Sequence, residues 1–165
     1  MYVKISTMRT ALFPGSFDPF TIGHYEVLES ALKIFDKVIV AVGYNSAKKG
    51  FFAPQTRVEI IKQATAHLPN VEVCSYSGLT IDACRNLGAS VIVRGLRTTA
   101  DFEMESVIAQ ANTKLAPEIS TVFLPACGEY SFVSSTIVRD VLIHKGDVSQ
   151  FLPKGVQIEK FYTGE

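Results

Sequence analysis

Five short apolar runs punctuate the chain at residues 10–13, 37–42, 71–76, 89–93 and 121–124, rich in Val, Ile and Phe. Runs of this length and makeup predict β-strands. Between them apolar positions return every three or four residues over 24–35, 57–67, 80–87 and 101–115, and a last such stretch, 135–144, follows the fifth run. That period predicts helices, the first with Val27, Leu28, Ala31, Leu32 and Phe35 on one face. Thr56 and Glu59 have capping-box spacing at the start of the second helix, and Gly88 stands where the third should stop.

Strand and helix alternate throughout, and few polar residues interrupt the strands. Such strands suit a parallel sheet covered on both faces, so the predicted fold class is α/β, a doubly wound parallel five-stranded sheet of Rossmann-like form. At 165 residues, 47% apolar and 19% charged, the chain fits a single domain over 1–165. Sixteen Lys and Arg balance sixteen Asp and Glu. Bulk charge therefore gives no reason to expect nucleic acid or an anionic membrane as a partner, and any anion site must be local.

Cys74, Cys84 and Cys127 are odd in number and widely spaced. They match neither a zinc pattern nor a disulfide framework and are expected to be free thiols. No 18-residue apolar stretch or signal-peptide core is present near the N-terminus, which makes the cytoplasm the expected compartment, with no membrane span.

In a doubly wound sheet ligands bind beyond the carboxyl ends of the strands, and the unusual polar residues fall there. Ser16 and His24 follow the first run, Asn45 and Lys48-Lys49 the second, Arg94-Gly95-Leu96-Arg97 the fourth, and Tyr130 with Ser134-Ser135-Thr136 the fifth. A neutral chain thus concentrates cations on one rim. His24 lies in the first turn of a helix, where free backbone N–H groups and the helix dipole favour a phosphate.

Each element also has a plainer reading. His24 fits a helix cap, Lys48-Lys49 a solvated loop pair, and Ser134 to Thr136 a cap for the last helix. Arg94 needs either an anion or a carboxylate partner, for which Glu103 and Glu105 are the candidates. Asp18 reads as a loop-shaping carboxylate, and His67 and His144, late in helices, as structural. No Gly-x-Gly-x-x-Gly follows a strand, and neither a P-loop nor a Gly-x-Ser-x-Gly elbow occurs. Helix ends, lysine and arginine are left to hold phosphate, as in phosphoryl and nucleotidyl transfer, where positioning and charge stabilisation carry the chemistry.

Ser16-Phe17-Asp18-Pro19-x-x-x-Gly23-His24 resembles the signature of the nucleotidyltransferase superfamily, in its T/S-x-G-H form. Ala47-Lys48-Lys49, Arg94-Gly95-Leu96-Arg97, Ala100-Asp101-Phe102-Glu103-x-Glu105 and Ser131-Phe132-Val133-Ser134-Ser135-Thr136 are, in order and spacing, similar to the phosphopantetheine adenylyltransferase family. The resemblance runs from Thr10 to about Pro153 and leaves the N-terminal extension, residues 1–8, outside it. It implies adenylyl transfer from ATP to 4′-phosphopantetheine, with release of dephospho-coenzyme A and pyrophosphate. It also implies magnesium with the nucleotide, metal ligands unspecified, a homohexamer, and coenzyme A as a feedback ligand.

By the same resemblance, His24 stabilises the transition state, Ser16 lies between the two substrates, and Lys48, Thr80 and Arg94 serve the acceptor. Phe17, Gly95, Leu96, Arg97 and Glu105 fall on the nucleotide side, where Arg97 would grip the β- and γ-phosphates. Tyr130, Ser131, Phe132, Val133, Ser134, Ser135 and Thr136 match the loop that holds adenine and pyrophosphate. Two other readings are a superfamily member acting on glycerol phosphate, ethanolamine phosphate or nicotinamide mononucleotide, and a nucleotide-binding regulatory module without transfer. The loop from 43 to 56, which carries Lys48-Lys49-Gly50, is expected to close over substrate.

Overall fold

The computed structural model describes residues 8–126 and 128–163. The expectations for Cys127 and for residues 1–7 lie outside that range. The described chain runs β1 (Thr10–Gly15), α1 (Ile22–Leu32), β2 (Lys37–Gly43), α2 (Pro54–Thr65), β3 (Val71–Tyr76), α3 (Thr80–Asn86), β4 (Val91–Leu96), α4 (Thr99–Leu115), β5 (Ser120–Pro125) and α5 (Ser135–Ile143), then two 3-10 turns. All neighbouring strands are parallel, in the order β3-β2-β1-β4-β5. The expected α/β sheet is what the chain forms.

Successive strand residues point to opposite faces, and two cores result. Ala11, Phe13, Val38, Val40, Val42 and Val93 belong to one, with Val27, Leu28 and Ala31 of α1, Ile60 and Ile61 of α2 and Val138 of α5. Leu12, Ile39, Ala41 and Ile92 belong to the other, with Ile81 and Cys84 of α3. Coverage is uneven: α4 buries none of its residues and leaves Phe102, Met104, Val107, Ile108 and Leu115 exposed.

Sheet order reverses beside β1. From β1 the chain moves outward through β2 and β3, then returns to place β4 on the other side. This is a topological switch point, where the connections leaving two adjacent strands diverge and open a crevice. Register between β1 and β4 is confined to Ala11↔Val91 and Leu12↔Ile92, so the strands part toward their carboxyl ends. Val27 of α1 closes over the gap: a Cβ on Gly95 would lie 2.8 Å from Val27 Cγ2.

Two local expectations need correction. Helix α2 starts at Pro54, with Ala53 as its N-cap and no side-chain cap, so Thr56 lies inside the helix and forms no capping box with Glu59. Proline at the first position has no N–H to leave unsatisfied and its φ is already helical, which moves the start earlier. Strand β4 continues through Arg94, Gly95 and Leu96, which pair with Phe123, Leu124 and Pro125 rather than starting a loop. Gly88 does follow the end of α3, with φ 68°. Cys74 and Cys84 are free, and burial pushes the Cys84 thiol up to about 11.

Candidate active site

Thr21, His24 and the helix start form one unit. Thr21 is the N-cap of α1, and its hydroxyl accepts from the His24 N–H at 3.5 Å while its own N–H donates to His24 Nδ1 at 3.0 Å. Histidine thus fills the slot that Glu or Gln takes in an ordinary capping box. Because Nδ1 accepts from a backbone donor, the neutral ring must carry its proton on Nε2. The motif leaves one imidazole N–H to donate elsewhere.

Packing keeps that ring neutral. Phe20, fully buried, stacks on His24 at 5.5 Å and 27°, and Phe17 meets it edge-on at 5.1 Å. Burial, then Arg97, then Arg94, lower the His24 pKa from 6.5 to about 4. Neutral imidazole is therefore the form present at pH 7. As pH falls from 6.5 toward 4, the unfolded chain takes up a proton that the folded site refuses, so stability drops through that window and is unaffected above it. For the same reason the acid limb of kcat/KM that belongs to His24 should have its midpoint near 4, not near 6.5; a pH–rate profile checks this.

Phe17 has φ 45°, left-handed for a bulky residue. Such a residue costs about 1–3 kcal/mol, and its ring is only 2% exposed, a burial worth about 1.5–3 kcal/mol. The two offset each other. The turn persists because the ring that strains it also packs against Phe13, Phe20 and His24.

On the other side of the crevice Arg94 donates to Glu105 through Nε at 2.7 Å and Nη2 at 2.6 Å, and to the Pro14 carbonyl through Nη1 at 2.6 Å. Its carboxylate partner is Glu105; Glu103 is exposed. A cavity of about 170 Å³ opens here, with Thr80, Arg94, Glu105 and Asn112 as polar lining and Ile92 and Ile108 as apolar lining. Cavities of about 340 Å³ among residues 142–163 and about 490 Å³ between α4 and β5 are larger, but neither contains a predicted site residue. Charge and position at the strand ends single out the smaller one. Tyr76, at the end of β3, shares a 2.9 Å hydroxyl hydrogen bond with Thr80.

Arg97 precedes the N-cap Thr98 of α4. Its N–H and that of Thr98 donate to Asp101 Oδ2 at 3.0 and 3.2 Å, and its side chain, half-exposed, reaches the same oxygen at 3.5 Å. Ser134 caps α5 by accepting from the Ile137 N–H, Ser135 donates to the Pro19 carbonyl at 2.8 Å, and Arg139 donates to Thr136 Oγ1 and to the Asp18 carbonyl. The hydroxyl cluster therefore caps a helix and clasps the 16–21 turn together. Ser131 and Phe132 are exposed and Val133 is buried, its N–H donating to the Tyr130 carbonyl. Ser16 is exposed at the end of β1, and Lys48 is exposed in a turn whose N–H donates to the Asn45 carbonyl. His67 and His144 lie at the surface, bonded to the Tyr25 hydroxyl and the Asp140 carbonyl.

Phe20, Thr21, Arg57 and Arg139 were not among the predicted site residues. Arg57 left a signal: it falls on the apolar stripe of α2 with Ile60, Ile61 and Ala64, and it is 6% exposed. Asp18, read as a loop-shaping carboxylate, does shape the turn, accepting from the Phe51 and Phe52 N–H groups.

A sequence model of the cytidylyltransferase-like family matches residues 12–141. A protein of Flavobacterium psychrophilum named phosphopantetheine adenylyltransferase is 47% identical over 152 residues, covering 92% of this chain and all of the relative. Among solved structures, a Vibrio parahaemolyticus protein provisionally assigned as a nicotinate-nucleotide adenylyltransferase superposes with a TM-score of 0.69 at 21% identity, over 91% of this chain and 96% of that one. A bifunctional NMN adenylyltransferase/ADP ribose pyrophosphatase from Francisella tularensis gives 0.70 at 18% identity, over 96% of this chain and 48% of that one. At such identities the two structures bear on the fold alone.

Proposed function

Since the chain belongs to the phosphopantetheine adenylyltransferase family, with 47% identity across the whole of a relative of that name, we propose that it transfers the adenylyl group of ATP to 4′-phosphopantetheine. An oxygen of the acceptor phosphate attacks the α-phosphorus and forms the new P–O bond. The bond to the bridging oxygen breaks, and pyrophosphate leaves with the electron pair. No protein nucleophile takes part. The observation that carries this reading is the full-length likeness to the flavobacterial relative.

The roles follow from the chemistry each residue offers. His24 donates its Nε2 proton as a hydrogen bond to the α-phosphate as charge builds there, and it does so as a neutral ring. Ser16 steers the incoming phosphate, and Lys48, Arg94 and Thr80 hold the acceptor. Arg97 takes the β- and γ-phosphates, with Phe17, Gly95, Leu96, Glu105 and residues 130–136 on the nucleotide side. Glu105 stands at the boundary, since its carboxylate also grips Arg94.

Magnesium accompanies ATP in this reading. Among the described residues no group of three His, Cys, Asp or Glu gathers to hold a metal, so no step is assigned to the ion. Dependence on ATP favours a cytoplasmic enzyme, and no helix of the described residues is long and apolar enough to cross a membrane. The exposed apolar face of α4 supports assembly, here as a homohexamer. Coenzyme A would compete for the acceptor cavity through the pantetheine arm it shares with the substrate.

Pyrophosphate release tests the function. ATP with 4′-phosphopantetheine should give turnover, whereas glycerol phosphate, ethanolamine phosphate or nicotinamide mononucleotide should give little. Release with one of those and none with 4′-phosphopantetheine would overturn the assignment.

A further inference from the structure

The turn that carries Ser16 is bolted to the loop that carries Lys48 by a buried ion pair. Asp18, 9% exposed, accepts from the Phe51 N–H at 2.8 Å on Oδ2 and from the Phe52 N–H at 2.9 Å on Oδ1. Arg57 Nε lies 3.3 Å from Asp18 Oδ1 and donates to the Phe52 carbonyl at 2.8 Å, while its Nη1 donates to the Ser16 carbonyl at 3.2 Å. One guanidinium thus touches both segments. Gly50 completes the joint: a Cβ there would fall 1.7 Å from Arg57 Nη2 and 3.0 Å from Asp18 Oδ2.

We propose that Asp18, Arg57 and Gly50 form a latch that sets the position of the Lys48 loop against Ser16, making Arg57 a positioning residue for the acceptor. The proposal rests on the adenylyl-transfer reading. A buried ion pair is weak evidence for stability, because desolvation cancels much of the attraction, so its arrangement calls for another explanation. Its hydrogen bonds supply one. The pair spends its donors and acceptors on the backbone of the two segments that carry Ser16 and Lys48, with the glycine between them and Lys48 only two positions away.

Asp18 also joins the nucleotide side, through its carbonyl to Arg139 Nη1 at 2.6 Å. The latch itself acts only through the side chain. The 16–21 turn is also held without Arg57, by Arg139 on the Asp18 carbonyl and Ser135 on the Pro19 carbonyl. Disturbing Arg57 should therefore displace the Lys48 loop and with it the acceptor arm, and leave the ATP arm in place.

Two variants of the full chain, Arg57→Gln and Gly50→Ala, test this, with Arg57→Lys as the conservative control. Gly50 is not among the residues with positive φ, so alanine there acts by crowding Arg57. Displacement of a substrate by about an ångström is expected to raise the acceptor KM about tenfold or more, with the ATP KM within about twofold of wild type. Arg57→Lys, which keeps the charge without the fork, should recover part of the loss. Amide exchange at Phe51 and Phe52 should speed up in both test variants, a readout independent of the substrate. Equal rises in both KM values would overturn the proposal, as would a lowered Tm with KM values unchanged. Unchanged exchange at Phe51 and Phe52 would do the same. If Arg57→Gln fails to fold, Gly50→Ala alone decides. Wild type without turnover would count against the function, while exchange in Gly50→Ala still judges the latch.

Discussion

Replacing His24 with alanine is expected to lower kcat by about 10²- to 10³-fold, the loss typical of one preorganised donor to developing negative charge. ATP binding should weaken far less, because the donor strengthens only as charge accumulates in the transition state. The alanine also removes the acceptor for the Thr21 N–H while leaving Thr21 as the N-cap, and the loss of that one hydrogen bond costs about 0.5–1.5 kcal/mol of stability. His24→Gln separates the two effects. Glutamine is an ordinary capping-box residue at this position and can take the Thr21 N–H, yet its amide does not reproduce the Nε2–H. Thermal melting should therefore recover in His24→Gln while kcat stays low; steady-state kinetics beside melting curves provide the check.

Arg94→Ala should produce the second large effect, on the acceptor. A charge-assisted hydrogen bond contributes about 1.5–3 kcal/mol, so the KM for 4′-phosphopantetheine should rise about 10- to 100-fold. Stability should fall as well, because Glu105, with its side chain 15% exposed, loses both bonds from the guanidinium. Arg94→Lys should restore little, since a single ammonium cannot bridge two carboxylate oxygens and the Pro14 carbonyl. The combination Arg94→Ala with Glu105→Ala should regain part of the lost stability and none of the acceptor affinity. Losing Arg94 also lifts one of the influences that hold the His24 pKa down.

The alternation of element types, the histidine at a helix start and the pairing of Arg94 with Arg97 around the carboxyl end of the fourth strand were legible because each depends on spacing along the chain. Arg94 and its carboxylate could be narrowed to Glu103 or Glu105 for the same reason. What escaped depends on contacts distant in sequence or on backbone geometry. Arg57 drew no reading beyond opening the predicted 57–67 helix, although its place on the apolar stripe marked it, because its partner Asp18 is 39 positions away in sequence. The start of α2 was misjudged because Thr56 and Glu59 offered a familiar pairing while Pro54, two residues earlier, had the stronger claim. Arg94 was expected directly after the fourth strand because the apolar run ends at Val93, whereas it lies inside β4. The strand tolerates the charge because the guanidinium reaches the crevice, bonded to Glu105 and the Pro14 carbonyl. A left-handed Phe17 runs against residue preference and could be found only from the backbone itself.

The short register between β1 and β4 divides the sheet into a three-strand half and a two-strand half, joined by two paired positions, by the Arg94 bond to the Pro14 carbonyl and by Val27 over Gly95. Ser16, His24 and Lys48 ride on the first half, Arg94 and Arg97 on the second. A ligand touching both groups is thereby a clamp across the weakest line of the sheet. Loading the site would stiffen the molecule along the boundary where it would otherwise open first. Catalysis and cohesion share that line.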